Sequence, residues 1–234
     1  MQKLTPSDKL IKLEISHKRY TEQFTALCAA KFTERQANQL ILLKCSNNTV
    51  LSVLNNYERL LHSPYFLTRE QIVTIAGHIG GSQSIEAVKA DFTELTRLGL
   101  TSEQIVRVVR HDGGSKNIEA VKAAFTELTT LHFNREQIIR IAGHPGGSKN
   151  MEAVRAAYTE LTKLHFTPEQ IVTIVEHQGG SQNISTIVAH AAFLISKGFT
   201  REQMVTLANQ SGGALNIKKA VKTCTIKKLD ECIA

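Results

Sequence analysis

The chain has 234 residues, 42% of them hydrophobic, with a formal net charge of +7, so it has ample material for a packed core. No apolar run approaches the ~20 residues of a membrane span, and the opening Met1 to Pro6 lacks the apolar core of a signal peptide, so a soluble chain with no membrane partner is expected. Cys28, Cys45, Cys224 and Cys232 stand too far apart for CxxC chemistry, which leaves a disulfide framework or a zinc site without support and points to reduced thiols in a reducing compartment.

The positive charge is uneven along the chain. Residues 1–66 carry nine Lys/Arg against five Asp/Glu, residues 67–198 thirteen against thirteen, and residues 199–234 six against three. Basic flanks around a neutral middle suit a polyanion gripped at the ends and discriminated in the centre. In chain order, Thr5-Pro6-Ser7-Asp8 is a helix start with Leu10, Leu13 and Ile15 behind it. Thr33-Glu34-Arg35-Gln36 is a second start, and Val50, Val53, Tyr57 and Leu60 form a helical apolar stripe. Residues 1–66 therefore read as degenerate, basic capping repeats.

From Leu67 onward the chain matches itself at an offset of 33 residues, giving five repeats at 67–99, 100–132, 133–165, 166–198 and 199–231, with a tail at 232–234. The fifth is degenerate after Val221. Each repeat opens on a capping box, at Thr68/Gln71, Thr101/Gln104, Asn134/Gln137, Thr167/Gln170 and Thr200/Gln203. Pro168 takes the first helical position, where its missing N–H costs nothing. Ile72, Val73, Ile75 and Ala76 make a short first helix apolar on one face, and it stops before a Gly-Gly pair. Ile85, Val88, Phe92 and Leu95, with Ile118, Val121, Phe125 and Leu128 in the next repeat, define a longer second helix. Two helices of this size cannot bury their faces alone, so the repeats stack into an all-α solenoid.

Two positions before Gly-Gly separate structure from recognition. The thirteenth position holds Ile79, Asp112, Pro145, Gln178 and Ser211, which no packing site would accept in turn; it is either ligand-facing or an unconstrained loop tip. The twelfth holds His78, His111, His144 and His177, then Gln210. One imidazole per repeat lacks the i, i+4 pairing of a helical metal site, so no metal is expected. A hydrogen bond from the ring to a nearby helix carbonyl, bracing the loop, fits better.

The Gly-Gly after a variable pair, the Leu/Phe-Thr-x-Glu-Gln-Ile-Val lead and the 33-residue period closely resemble transcription activator-like effector repeats and their shorter bacterial relatives. The resemblance covers all five repeats and implies a right-handed superhelical solenoid that binds double-stranded DNA in the major groove, one base pair per repeat. It implies that His78, His111, His144, His177 and Gln210 stabilise loops, while Ile79, Asp112, Pro145, Gln178 and Ser211 read bases. A carboxylate at Asp112 accepts from cytosine N4. The family's Ile-containing pair favours adenine, so Ile79 then Asp112 imply a 5′-A-C start. Gln178 suits adenine, Ser211 accepts several bases, and Pro145 offers only a small apolar surface.

Phosphate contacts are expected at the start of each second helix, from Gly80, Gly81, Gly113, Gly114, Gly146, Gly147, Gly179 and Gly180 with Lys116, Lys149, Gln83 and Gln182. Lys9, Lys12, Lys18, Arg19, Lys31 and Arg35 add a sequence-independent patch, half of which a solvated helix face explains equally well. The rivals are a protein-interaction scaffold, which calls for aromatic or Arg anchors that the loop tips lack, and an RNA-binding repeat array. No Ser/His/Asp or Cys/His constellation is present, and Glu70, Glu103, Glu136, Glu169 and Glu202 are first-turn helix charges, so no enzyme, cofactor or small-molecule substrate is expected. A monomer on DNA is expected, in a bacterial cytoplasm or nucleoid, or in a host nucleus if the chain is a secreted effector that regulates transcription.

Overall fold

The computed structural model describes the backbone of residues 6–42 and 47–233 and the side chains of residues 16–42 and 48–224. Among the described residues the chain is all-α, with no strand. Three helices lead: α1 (Pro6–Ala29), α2 (Glu34–Leu42) and α3 (Asn47–Leu61). Pairs follow, a short helix and then a long one: α4 (Arg69–Ala76) and α5 (Gly81–Arg97), α6 (Ser102–Val109) and α7 (Gly114–Thr130), α8 (Arg135–Ala142) and α9 (Gly147–Lys163), α10 (Pro168–Val175) and α11 (Gly180–Ser196), α12 (Arg201–Asn209) and α13 (Gly213–Ile233). Of the sequence-read features, Thr5 lies outside the described residues, as do the side chains of Leu10, Leu13 and Ile15. α13 runs on to Ile233, with no break where the repeat pattern fades after Val221.

The capping boxes form at all five short helices: each Thr or Asn side chain accepts from the Gln amide three residues on, and that Gln side chain accepts from the cap amide. The degenerate Thr33-Gln36 pair makes both bonds too, at 3.3 and 3.0 Å. The apolar face is buried at Ile72, Val73, Ile75 and Ala76 in α4 and at Ile171, Val172, Ile174 and Val175 in α10, whereas in α12 Met204 and Ala208 are buried and Val205 and Leu207 half-buried. Ile85, Val88, Phe92 and Leu95 are buried from α5. Each buried Ile, Val, Leu or Phe contributes about 1.5–3 kcal/mol, so the three in α4 and the four in α10 outweigh what propensity alone gives an eight-residue helix.

The chain divides into two compact units, residues 1–115 and 116–234, with the border at the start of α7. In the first unit the short helices α2, α4 and α6 pack in series, while α3 packs against α5. In the second, α8, α10 and α12 form one row and α9, α11 and α13 the other. Within each unit, short helices thus lie on neighbouring short helices and long helices on neighbouring long ones.

Long helices end on a left-handed residue: Gly99 (φ 85°), His132 (65°), His165 (60°) and Gly198 (85°). The next amide folds back to the last turn, as in Phe166 N to Leu161 O at 2.9 Å, which closes a Schellman-type end. A histidine in this region strains its Cβ against the following carbonyl at about 1–2 kcal/mol. His165→Gly should therefore raise unfolding stability by up to about 1 kcal/mol, once glycine's greater unfolded entropy is deducted, as read by urea denaturation.

Candidate nucleic-acid interface

Each loop between the short and long helix is shaped by its two glycines, which do different jobs. The first sits in the left-handed region, with φ between 79° and 88° at Gly80, Gly113, Gly146, Gly179 and Gly212. The second packs against the end of the short helix. A Cβ on Gly81 would stand 2.1 Å from Ala76 O, on Gly147 1.9 Å from Ala142 O, and on Gly180 2.2 Å from Val175 O. The loop closes on itself through the backbone: Gly81 N donates to His78 O (3.0 Å) and Gly213 N to Gln210 O (2.9 Å).

The five thirteenth-position residues, Ile79, Asp112, Pro145, Gln178 and Ser211, are all exposed. Ile79 is 61% exposed. Asp112 is not a free carboxylate: Oδ1 accepts from Ile79 N at 3.0 Å, so one loop leans on the thirteenth-position side chain of the next. Its second oxygen remains available for a ligand.

The twelfth-position side chains behave less uniformly than sequence periodicity suggests. His78 donates from Nδ1 to Ile79 O at 2.9 Å, within its own loop rather than to a helix carbonyl, and the same nitrogen lies 3.7 Å from Asp112 Oδ1. His111 Nε2 accepts from Arg110 Nε at 3.1 Å. His144 Nε2 lies 3.8 Å from Glu176 Oε1, and His177 Nδ1 is buried without a hydrogen-bond partner. Gln210 is exposed, with extended backbone. What His78 and Gln210 share is the backbone carbonyl that accepts from the second glycine.

Lys116, Lys149, Gln83 and Gln182 are exposed at the starts of their long helices. First-turn amides of the long helices are not all free, however: Ser148 N, beside Lys149, donates to Asn117 Oδ1, and Ala214 N of α13 to Asn183 Oδ1, both at 2.8 Å. In the N-terminal region Lys18, Arg19, Lys31 and Arg35 are exposed, while the side chains of Lys9 and Lys12 lie outside the described residues. Among the described residues no three His, Cys, Asp or Glu side chains gather where they could hold a metal ion, and no helix is long and apolar enough to cross a membrane.

The first-turn glutamates do more than complement helix dipoles. Three capping glutamines use their oxygen for their own cap and their Nε2 for the next repeat's glutamate: Gln36 to Glu70 (2.9 Å), Gln137 to Glu169 (3.0 Å) and Gln170 to Glu202 (3.0 Å). Arg140 adds a fork onto Glu176, with Nε to Oε1 at 2.7 Å, and reaches Glu169 at 2.6 Å. Hydrogen bonds from Gln137 and then Arg140 hold the Glu169 carboxyl below its usual range. The buried asparagines of the long helices, Asn117, Asn150 and Asn183, are the polar residues that periodicity reasoning passed over. Their signal was a polar residue recurring at one slot beside the buried Ile118, Met151 and Ile184.

Four helix pairs of 8 and 17 residues and a fifth of 9 and 21, joined by glycine loops that present a different side chain each time, define a helical-repeat protein. Residues 145–177, one period of the array, match the family model of the TAL effector repeat. The matched span starts at the exposed Pro145 of one loop and ends one residue before Gln178 in the next, so it covers one full period in a shifted phase. Comparison with curated proteins gives no match.

Proposed function

We propose that the chain binds double-stranded DNA sequence-specifically in the major groove, one base pair per repeat, through the residue before each Gly-Gly. TAL effector repeats bind double-stranded DNA, which supports DNA as the partner. The observation that carries the finer reading is the loop tip: five unrelated side chains, all exposed, stand at the same slot of a backbone that the glycines hold in one shape. Asp112 reads cytosine, its free oxygen accepting from the N4 amino group while guanine's acceptors repel it. Ile79 reads adenine by apolar contact, Gln178 suits adenine N6 and N7, and Ser211 and Pro145 specify weakly. The sequence read is 5′-A-C followed by three loosely specified positions.

His78, His111, His144, His177 and Gln210 form the loop shoulder, and Lys116, Lys149, Gln83 and Gln182 approach phosphates. Residues 1–66 act as the basic N-terminal cap and 67–231 as the reading array. Five base readings at ~1–3 kcal/mol each discriminate well among short duplexes, but leave many competing sites in a genome, so a further targeting element accompanies the chain on nucleoid or nuclear DNA.

The test is selection of a randomised duplex library on the purified chain with RNA competitor present. Enrichment of cytosine at the second position is the expected result. A library that emerges without positional preference, or an RNA that outcompetes every duplex, overturns the reading. Salt separates phosphate grip from base reading. Changing Lys18, Arg19, Lys31 and Arg35 to alanine should flatten the log K against log salt slope by roughly 0.9 for each phosphate no longer neutralised, with base preference unchanged.

A further inference from the structure

The fourth residue of the long helix is asparagine in four repeats, Asn117, Asn150, Asn183 and Asn216, and serine, Ser84, in the first. The first three asparagines are at most 2% exposed. A buried carboxamide without partners would be costly, so its bonds reveal its task. Asn183 reaches across both ends of the following loop: Oδ1 accepts from Ala214 N at 2.8 Å, and Nδ2 lies 3.3 Å from Ala208 O. Between those two atoms in the chain sits Ser211, the exposed reading residue.

The same bonds recur elsewhere in the second unit. Asn117 Oδ1 accepts from Ser148 N at 2.8 Å, and Asn150 Nδ2 lies 3.4 Å from Val175 O. Asparagine also leans on its own loop: Nδ2 of Asn183 is 3.4 Å from Gln178 O, and that of Asn216 donates to Ser211 O at 3.0 Å. Both of those carbonyls belong to reading residues. Two amide hydrogens serve these several carbonyls, so the short bond to Oδ1 is the strong one.

Helix chemistry explains why the bond is needed. α9 begins after Gly146, which has no side chain to cap the first-turn amides. Asn117 of the preceding repeat supplies the missing acceptor, so the glycine that shapes the loop and the asparagine that closes it are complementary. At the first junction the device is missing. Ser84 is too short; its Oγ is buried with no hydrogen-bond partner, 2.7 Å from where a Cβ on Gly114 would lie.

We propose that Asn117, Asn150, Asn183 and Asn216 are positioning residues for base reading, each fixing the loop it bonds, and that Ser84 is a gap in the series beneath the loop of Asp112. The base-reading half of this rests on the proposed function; the loop-fixing half does not. The test installs the missing side chain in the full chain. In Ser84→Asn the Ser115 amide should exchange with deuterium roughly fivefold more slowly, the worth of one hydrogen bond, and cytosine enrichment at the second position should rise by a similar factor with unchanged salt dependence.

In Asn183→Ala the Ala214 amide should exchange roughly fivefold faster. Unaltered exchange at both amides overturns the loop-fixing role, and slower Ser115 exchange with unaltered cytosine enrichment overturns the positioning role. If the parent chain selects no duplex, the DNA reading fails by itself, and amide exchange alone then decides whether asparagine fixes the loops.

Discussion

Gly147→Ala will destabilise the chain by upwards of about 3 kcal/mol, while Gly146→Ala, one residue earlier, will cost about 1–2 kcal/mol. The two glycines look equivalent in sequence, but they meet different physics. At Gly146 the backbone is left-handed, φ 79°, and an added methyl meets nothing within 4 Å, so the only cost is the intrinsic strain of that region. At Gly147 the methyl would lie 1.9 Å from Ala142 O and 2.7 Å from Ala142 C. Those are backbone atoms at the end of α8, and no rotamer change removes them. Relief requires α8 and α9 to part, which opens the buried packing of Ile138, Ile139 and Met151. Urea denaturation of the two variants beside the parent measures both costs; equal destabilisation would show that the close approach has no energetic weight.

Asp112→Asn will abolish cytosine enrichment at the second position, a loss of about 1–3 kcal/mol of discrimination, or roughly 5- to 150-fold. The substitution separates the carboxylate's two tasks. Asparagine retains an oxygen to accept from Ile79 N, so the preceding loop stays in place. It replaces the second acceptor with an amino donor, which suits adenine N7 better than cytosine N4. Asp112→Ala removes both tasks and frees the Ile79 amide, so it should weaken the adenine preference at the first position as well. Base selection on the three proteins checks the contrast. If Asn and Ala variants give the same profile at the first position, the bond between the two loops has no part in recognition.

Much of the fold was legible because its determinants are local. A Thr or Asn three residues before Gln predicts a capping box by itself, and both bonds form in all five repeats. The apolar stripe of Ile85, Val88, Phe92 and Leu95 reads as a buried helix face without knowledge of its partner, and it is one. What stayed hidden depends on the neighbouring repeat. Asp112 carries no sequence mark of its bond to Ile79 N, because the partner is a backbone amide 33 residues earlier. Glu169 looks like an ordinary first-turn acid until Gln137 and Arg140 are brought beside it. The histidines show the limit of periodicity most clearly. They recur at one slot, yet His78 bonds Ile79 O, His111 accepts from Arg110, and His177 Nδ1 has no partner, so the regularity of the letters exceeds that of the bonds.

The glutamine-to-glutamate rungs share a direction with the asparagine bonds: in the second unit Gln137, Gln170, Asn117 and Asn183 all serve the repeat that follows them. A chain made from its N-terminus on the ribosome therefore presents each newly emerged repeat with a finished template. The acceptor for the next uncapped helix is already in place when that helix leaves the tunnel, so the array can be tiled in the order of its synthesis.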